Sequence, residues 1–189
     1  MKPELGVVHG RFQILHNDHL KYILAAREQC RHLVIGITNP DPGLTRLEPV
    51  DPNRSAPEAN PLTYWERYWM IRQTMQEAGV SSEDYSVIPL PINIPELILD
   101  YAPPDAVYYL TIYDEWGREK LKRFQALGLK THVLWEKPST EKGITGTTIR
   151  RLIADNKPID HLTPPAVARL VREWNLAGRL RSTGTDCPA

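Results

Sequence analysis

A chain of 189 residues, 41% hydrophobic and 24% charged, can bury the core of one globular domain without disulfide or metal staples. Lys+Arg and Asp+Glu both number 23, so no global charge draws it toward nucleic acid or an anionic membrane, and any polyanion site has to be local. Two cysteines, Cys30 inside a predicted helix and Cys187 in a polar tail, exclude a disulfide framework; with no basic-then-apolar leader and no apolar run near the ~18 residues of a membrane span, a cytoplasmic location is expected.

Residues 5–9 are a short apolar run entering a glycine turn, which predicts a buried parallel strand. A helix is predicted over 19–31 with Leu20, Ile23 and Leu24 facing inward, then a second strand over 32–37. Residues 39–61 are rich in Pro, Asp, Asn and Arg and lack periodicity, so they read as a long loop or lid. Thr63 followed by Glu66 is a capping-box signature; the helix it opens should stop at Gly79. Further strands are predicted over 86–90, 106–112 and 131–135, with helices over 95–101, 115–127, 147–156 and 165–175. Five strands alternating with helices predict an α/β fold, a doubly wound parallel sheet covered on both faces and followed by C-terminal helices. One domain over 1–178 and a flexible tail over 179–189 complete the expected organisation. Ligands on such sheets lie at the carboxyl ends of the strands where the winding reverses, and the turn after the first strand points there.

That turn reads Gly10-Arg11-Phe12-Gln13-Ile14-Leu15-His16-Asn17-Asp18-His19. His16 and His19 are three apart at a helix start, so both imidazoles can face one way beside the positive end of the helix dipole. Such a pair suits an α-phosphate and the charge that builds as an oxyanion displaces pyrophosphate. Arg11 is placed to grip the acceptor's anion or the same phosphate, while Phe12 and Gln13 shape the turn. The bland alternative is a pair of histidines that merely begin a surface helix. About 130 residues later, Thr145-Gly146-Thr147-Thr148 gathers hydroxyls and free amides at another helix start, with Arg150 one turn on. That arrangement suits β- and γ-phosphates, although an ordinary N-cap and a surface arginine would look the same.

Together these residues resemble the nucleotidylyltransferase superfamily marked by a His-x-Gly-His signature, most closely its archaeal-type nicotinamide mononucleotide adenylyltransferases. Gly10-Arg11-Phe12-Gln13 with His16 and His19 matches the first signature, and Thr145-Gly146-Thr147 through Arg150 the second. Asn60-Pro61-Leu62-Thr63 with Glu66-Arg67, and Leu162-Thr163-Pro164-Pro165, resemble the segments that lead into the third and closing helices. The resemblance implies a single Rossmann-like domain, a Mg²⁺-NTP substrate, a small phosphorylated or phosphonate acceptor, frequent homo-oligomers, and attack on the α-phosphorus with loss of pyrophosphate. It also implies that His16, His19 and Arg150 are the catalytic and triphosphate contacts.

The departures from the pattern are informative. Asp18 stands where the signature has glycine, adding charge near the nucleotide and weakening the case for adenine. The loop over 39–61 replaces a shorter segment; its Arg46 and Arg54 could close over phosphates, although exposed loop arginines are more commonly just solvated. Asn93 lies where the family has its acceptor loop, and the aromatic expected to stack on nicotinamide is missing over 96–100 unless Tyr101 serves. Superfamily members also attach CMP to small phosphonates or phosphates, so a cytidylyltransferase competes with the adenylyltransferase reading. A rival of another class is a nucleotide-binding sensor without turnover, against which the paired imidazoles argue. An aminoacyl-tRNA synthetase domain fails on length.

Four further readings complete the sequence picture. His9 is expected to be a satisfied polar group at a strand end. Trp65 and Trp69, four apart, are expected to pack in the core. Lys122 and Arg123 read as a solvated helix face. Asp41 or Asp114 could orient hydrated Mg²⁺, with no motif to support either.

Overall fold

The computed structural model describes residues 1–182, the side chain of residue 53 excepted. Cys187 and the tail beyond residue 182 lie outside the described residues. Five parallel strands, β1 (Leu5–Gly10), β2 (His32–Ile37), β3 (Tyr85–Pro89), β4 (Val107–Ile112) and β5 (Lys130–Glu136), form one sheet in the order β3-β2-β1-β4-β5. The central register runs from Leu5 opposite His32 to Gly10 opposite Ile37.

Neighbouring residues on each strand feed opposite faces, as the pleat requires. Val8, Ile35 and Tyr109 face a core closed by α1 (Asn17–Arg27), α2 (Tyr64–Glu77), α5 (Gly146–Ala154), α6 (Pro165–Glu173) and α7 (Leu176–Ser182). Val7, Val34 and Tyr108 face a second core closed by α3 (Ile98–Tyr101) and α4 (Glu115–Ala126), which contribute Ile98, Trp116 and Phe124. The chain winds outward from β1 on one face through β2 and β3, then returns to β4 and β5 on the other. The reversal falls between β1 and β4, so the crevice opens where β1 ends at Gly10.

Local signals set most element ends. Thr63 Oγ1 accepts the Glu66 amide at 3.2 Å and Glu66 Oε2 accepts the Thr63 amide at 2.9 Å, completing the capping box of α2. Gly79, at φ +73°, turns the chain after that helix as expected of a C-terminal glycine. Helix α1 differs from expectation. It begins two residues earlier and ends at Arg27, leaving Cys30 beyond the helix with only 1% of its surface exposed. Residues 179–182 also differ, being helical in α7 instead of part of a tail. Arg179 explains it, since its guanidinium pairs with the Glu66 carboxylate of the α2 cap and donates to the Pro61 carbonyl at 3.0 Å.

The face of α2 that packs inward carries Arg67, Met70, Ile71, Thr74 and Met75. Trp65 and Trp69 are therefore not core residues. They stack on one another outside, 61% and 37% exposed, because their positions fall on the opposite side of the helix. The loop over 39–61 is ordered by anchors that its composition hides. Glu48, fully buried, takes both Arg123 Nη atoms at 2.9 Å, so Arg123 clamps the loop instead of lying on a solvated face.

Candidate active site

His16 caps α1 in extended conformation, at φ −141° and ψ 174°, with no side-chain hydrogen bond of its own, and His19 follows in the first turn. The two imidazoles stack at 3.7 Å between centroids and 22° between planes, while the edge of Phe12 supports His19 at 5.1 Å. His16 is 4% exposed, which removes the surface-helix alternative. Both Nδ1 atoms are buried without a hydrogen-bond partner. Burial pulls the His16 pKa down to about 4. Burial pulls His19 well below its ordinary value too, aided by the neighbouring charges of His16, Arg11 and Lys120. Two neutral rings therefore wait beside the uncapped amides at the start of α1.

The second stretch arrives against the first. Arg150 Nη1 donates to the carbonyl of Gln13, and its Nη2 to Thr147 Oγ1 at 3.1 Å. Gly146 has to be glycine, since a Cβ there would lie 2.3 Å from the Gln13 oxygen. Asp18 Oδ2 accepts the Ile144 amide at 2.7 Å, so the carboxylate at the signature's glycine position fastens α1 to the segment ahead of α5. Gln13 in turn exchanges two hydrogen bonds with the Leu62 backbone, at 3.0 and 2.9 Å. Thr145 Oγ1 is occupied as the α5 N-cap, accepting the Thr148 amide at 3.1 Å and pairing with its hydroxyl at 2.9 Å. Thr147 is exposed at this end, its Oγ1 accepting only from Arg150, and the first amides of α5 have no partner within the helix.

At the ends of β1, β2 and β3 lies an open cleft whose polar lining includes His9, Arg11, Arg54, Asn93 and Lys120. Arg11 Nη1 donates to the carbonyls of Arg54 and Ala59 at 3.2 and 3.3 Å, drawing the long loop over the cleft. Burial and the nearby Arg54 and Arg150 lower the Arg11 pKa to about 10, and it stays charged at neutral pH. Arg54 pairs with Asp51 at 2.8 Å, lies 5.3 Å from the centre of the Trp116 ring and lines the cleft. Arg46 is not in the lining. It pairs at 2.7 Å with Glu96, both exposed, and only its carbonyl reaches the site, accepting Asn93 Nδ2 at 3.1 Å.

One reading is corrected here. His9 is not satisfied, for it is 5% exposed and both ring nitrogens lack partners. Asp114 is the α4 N-cap (Gly117 amide, 3.0 Å) and the partner of Lys142 at 2.6 Å. Asp41 holds a turn, accepting the Leu44 amide at 3.0 Å. Sequence reasoning missed Lys120 and Trp116 altogether. For His9 the signal was present as an imidazole inside the buried apolar run of β1, a place that needs a polar partner. Lys120 sits in a run of charged helix residues and carried no signal.

The buried imidazoles set a pH dependence of stability. Folding holds His16 neutral down to about pH 4, whereas an unfolded histidine protonates near 6.5, so the stabilisation is complete above pH ~6.5 and is lost as pH falls toward 4. His9, also buried, acts in the same direction. Urea midpoints are expected to be level between pH 8 and 7 and to drop between pH 6.5 and 5, with His16 alone contributing on the order of 3 kcal/mol over its full window. Midpoints that stay level to pH 5 would show that these rings are solvated.

Comparison with known proteins agrees with this geometry. The family model described as cytidylyltransferase-like matches residues 7–152. A phosphonoformate cytidylyltransferase of Streptomyces viridochromogenes is 52% identical over 177 residues, covering 94% of this chain and 95% of its own. A nicotinamide-nucleotide adenylyltransferase of Methanospirillum hungatei is 30% identical, with 95% of both chains covered, and its Pyrococcus furiosus counterpart is 28% identical over 96% of this chain and 89% of its own. The archaeal resemblance is thus real but weaker than that to the cytidylyltransferase. Among solved structures, a Francisella tularensis bifunctional NMN adenylyltransferase/ADP ribose pyrophosphatase, complexed with AMP and a manganese ion, shares the fold at a TM-score of 0.61 and 14% identity. This chain is covered to 99% and spans 57% of that longer one. No helix among the described residues is long and apolar enough to cross a membrane. With the family model spanning most of the chain and a relative 52% identical along nearly all of it, this protein belongs to the cytidylyltransferase-like family of nucleotidylyltransferases.

Proposed function

We propose that this enzyme transfers CMP from Mg²⁺-CTP to a small phosphonate, releasing pyrophosphate. The observation that carries the reading is the junction of the two stretches through Arg150, Gln13, Asp18 and Ile144, which fastens the start of α1, with its imidazole pair, to the start of α5. The 52% identity to a phosphonoformate cytidylyltransferase supports CTP and a phosphonate over ATP and a nicotinamide nucleotide.

In this reading the triphosphate lies along the starts of α1 and α5. The α5 amides, Thr147 and Arg150 hold the β- and γ-phosphates, and His16 and His19 donate to the α-phosphate. A phosphonate oxygen attacks the α-phosphorus as the bond to the bridging oxygen breaks. The neutral imidazoles donate to the non-bridging oxygens, whose charge grows, and Arg150 stabilises the departing pyrophosphate. The acceptor is already an oxyanion, so no general base is needed. Among the described residues no cluster of three or more His, Cys, Asp or Glu could hold a metal ion. That suits Mg²⁺ arriving on the triphosphate, because this ion keeps its waters and takes few carboxylates.

The test is pyrophosphate release from each of ATP, CTP, GTP and UTP with phosphonoformate, methylphosphonate and nicotinamide mononucleotide. Release from CTP with a phosphonate supports the reading, whereas release confined to ATP with nicotinamide mononucleotide overturns it. Arg150→Ala is expected to lower kcat/KM for CTP by roughly 10- to 100-fold. An unchanged value would remove this arginine from the nucleotide site.

A further inference from the structure

We propose that His9, Arg54 and Lys120 form a subsite for a second acid group of the acceptor, so that the enzyme selects compact acceptors carrying a carboxylate beside the phosphonate. The inference rests on the cytidylyltransferase reading and adds to it the residues that choose the acceptor.

Three observations converge. His9 is 95% buried by its 5% exposure, lines the cleft and leaves both ring nitrogens unpartnered, with Phe124 against its edge at 5.0 Å. A buried imidazole N–H without an acceptor is costly, and an anion oxygen in the cleft would satisfy it. Lys120 lines the same cleft and enters no hydrogen bond or ion pair among the described residues, unlike Lys142, which is held by Asp114 at 2.6 Å. Arg54 completes the set: its Nε is held by Asp51 at 2.8 Å, while its Nη2 lies 4.0 Å from Asp114. Burial first, then repulsion from Arg54, lowers the Lys120 pKa to about 7; Asp114 opposes the shift and Lys142 adds to it, so the neighbouring cations outweigh the carboxylate here.

The cleft also argues against a larger acceptor. Trp116 is the aromatic ring in its lining, and Arg54 and Arg123 already sit over that ring at 5.3 and 4.9 Å. A nicotinamide or a base would have to compete with those guanidiniums for the ring. A small molecule with two acid groups uses what is there: the carboxylate meets Lys120, Arg54 and His9, which points the phosphonate back over Gly10 toward the imidazoles. A phosphonate oxygen then forms the new bond to the α-phosphorus, the α–β anhydride breaks, pyrophosphate leaves, and the carboxylate passes through unreacted.

The experiment compares wild type with Lys120→Met and Lys120→Arg. Steady-state kinetics would use phosphonoformate and methylphosphonate as acceptors, and calorimetry would measure phosphonoformate binding with a non-hydrolysable CTP analogue present. Wild type is expected to prefer phosphonoformate by at least tenfold in kcat/KM. K120M should raise the KM and Kd for phosphonoformate at least tenfold, shift the KM for CTP less than twofold and shrink the preference; K120R should recover most of it. Circular dichroism and the thermal midpoint confirm that each variant is folded. A phosphonoformate Kd unchanged by K120M, no binding to wild type, or a parallel rise in the KM for CTP would overturn the subsite. If wild type turns over CTP and a phosphonate while K120M discriminates normally, only the subsite fails. Absence of pyrophosphate release from wild type with any CTP–phosphonate pair strikes the cytidylyltransferase reading itself, and the calorimetry still judges the subsite.

Discussion

His19→Ala is expected to lower turnover by ~100-fold or more while leaving the protein folded. The ring stands face to face with His16 at 3.7 Å and carries no hydrogen bond among the described residues, so its removal strips no partner from the fold. What it removes, in the proposed mechanism, is an N–H donor to the α-phosphate that burial has already desolvated, the kind of donor whose loss costs about 3–4 kcal/mol of barrier. Because the imidazole is held neutral, its contribution comes from a fixed dipole and not from a full charge. Pyrophosphate release at saturating CTP and acceptor, with the thermal midpoint beside it, checks the assignment. Turnover within fivefold of wild type would place His19 outside the chemistry.

Arg67→Met is expected to destabilise the fold by about 3–5 kcal/mol. Arg67 is 1% exposed and enters no ion pair among the described residues; its guanidinium donates to backbone carbonyls instead. Nε donates to Thr63 O at 3.2 Å, Nη1 to Arg11 O and Thr38 O at 3.1 and 2.8 Å, and Nη2 to Asn39 O and Pro40 O at 2.8 and 3.0 Å. One guanidinium thereby ties together the chain leaving β1 and the chain leaving β2, including Asn39 at a φ of +49°. A thioether fills the space but leaves buried carbonyls unpaired, each costing about 1–3 kcal/mol. Lysine should rescue poorly, for its compact ammonium has three donors and cannot span the fork. Urea unfolding measures the effect; a loss below about 1 kcal/mol would mean that water replaces the guanidinium.

Much of the architecture was legible along the chain because its signals are local. The apolar run ahead of Gly10, the run from His32 to Ile37, and the Thr63–Glu66 box with Gly79 behind it each dictate backbone conformation within a few residues. The candidate nucleotide site was legible for a related reason, since helix starts carry their phosphate-binding amides wherever they are placed. The acceptor side was not. His9 read as an ordinary strand-end residue and Lys120 as one charge among many on α4, and neither spacing reveals that the two line one cleft. Trp65 and Trp69 failed similarly: four-residue spacing puts two side chains on one helical face without saying which face the sheet covers.

Alone, the order of residues determined an alternating α/β chain with two anion-seeking helix starts, because capping, periodicity and glycine punctuation act over a single turn or strand. Only the tertiary structure decided that Arg150 reaches Gln13, that Asp18 fastens Ile144, and that His9, Arg54 and Lys120 share one cleft. Those pairings are separated by tens to more than a hundred residues and exist because β1 and β4 meet at the point where the winding turns back, a fact about sheet order that no local interaction encodes.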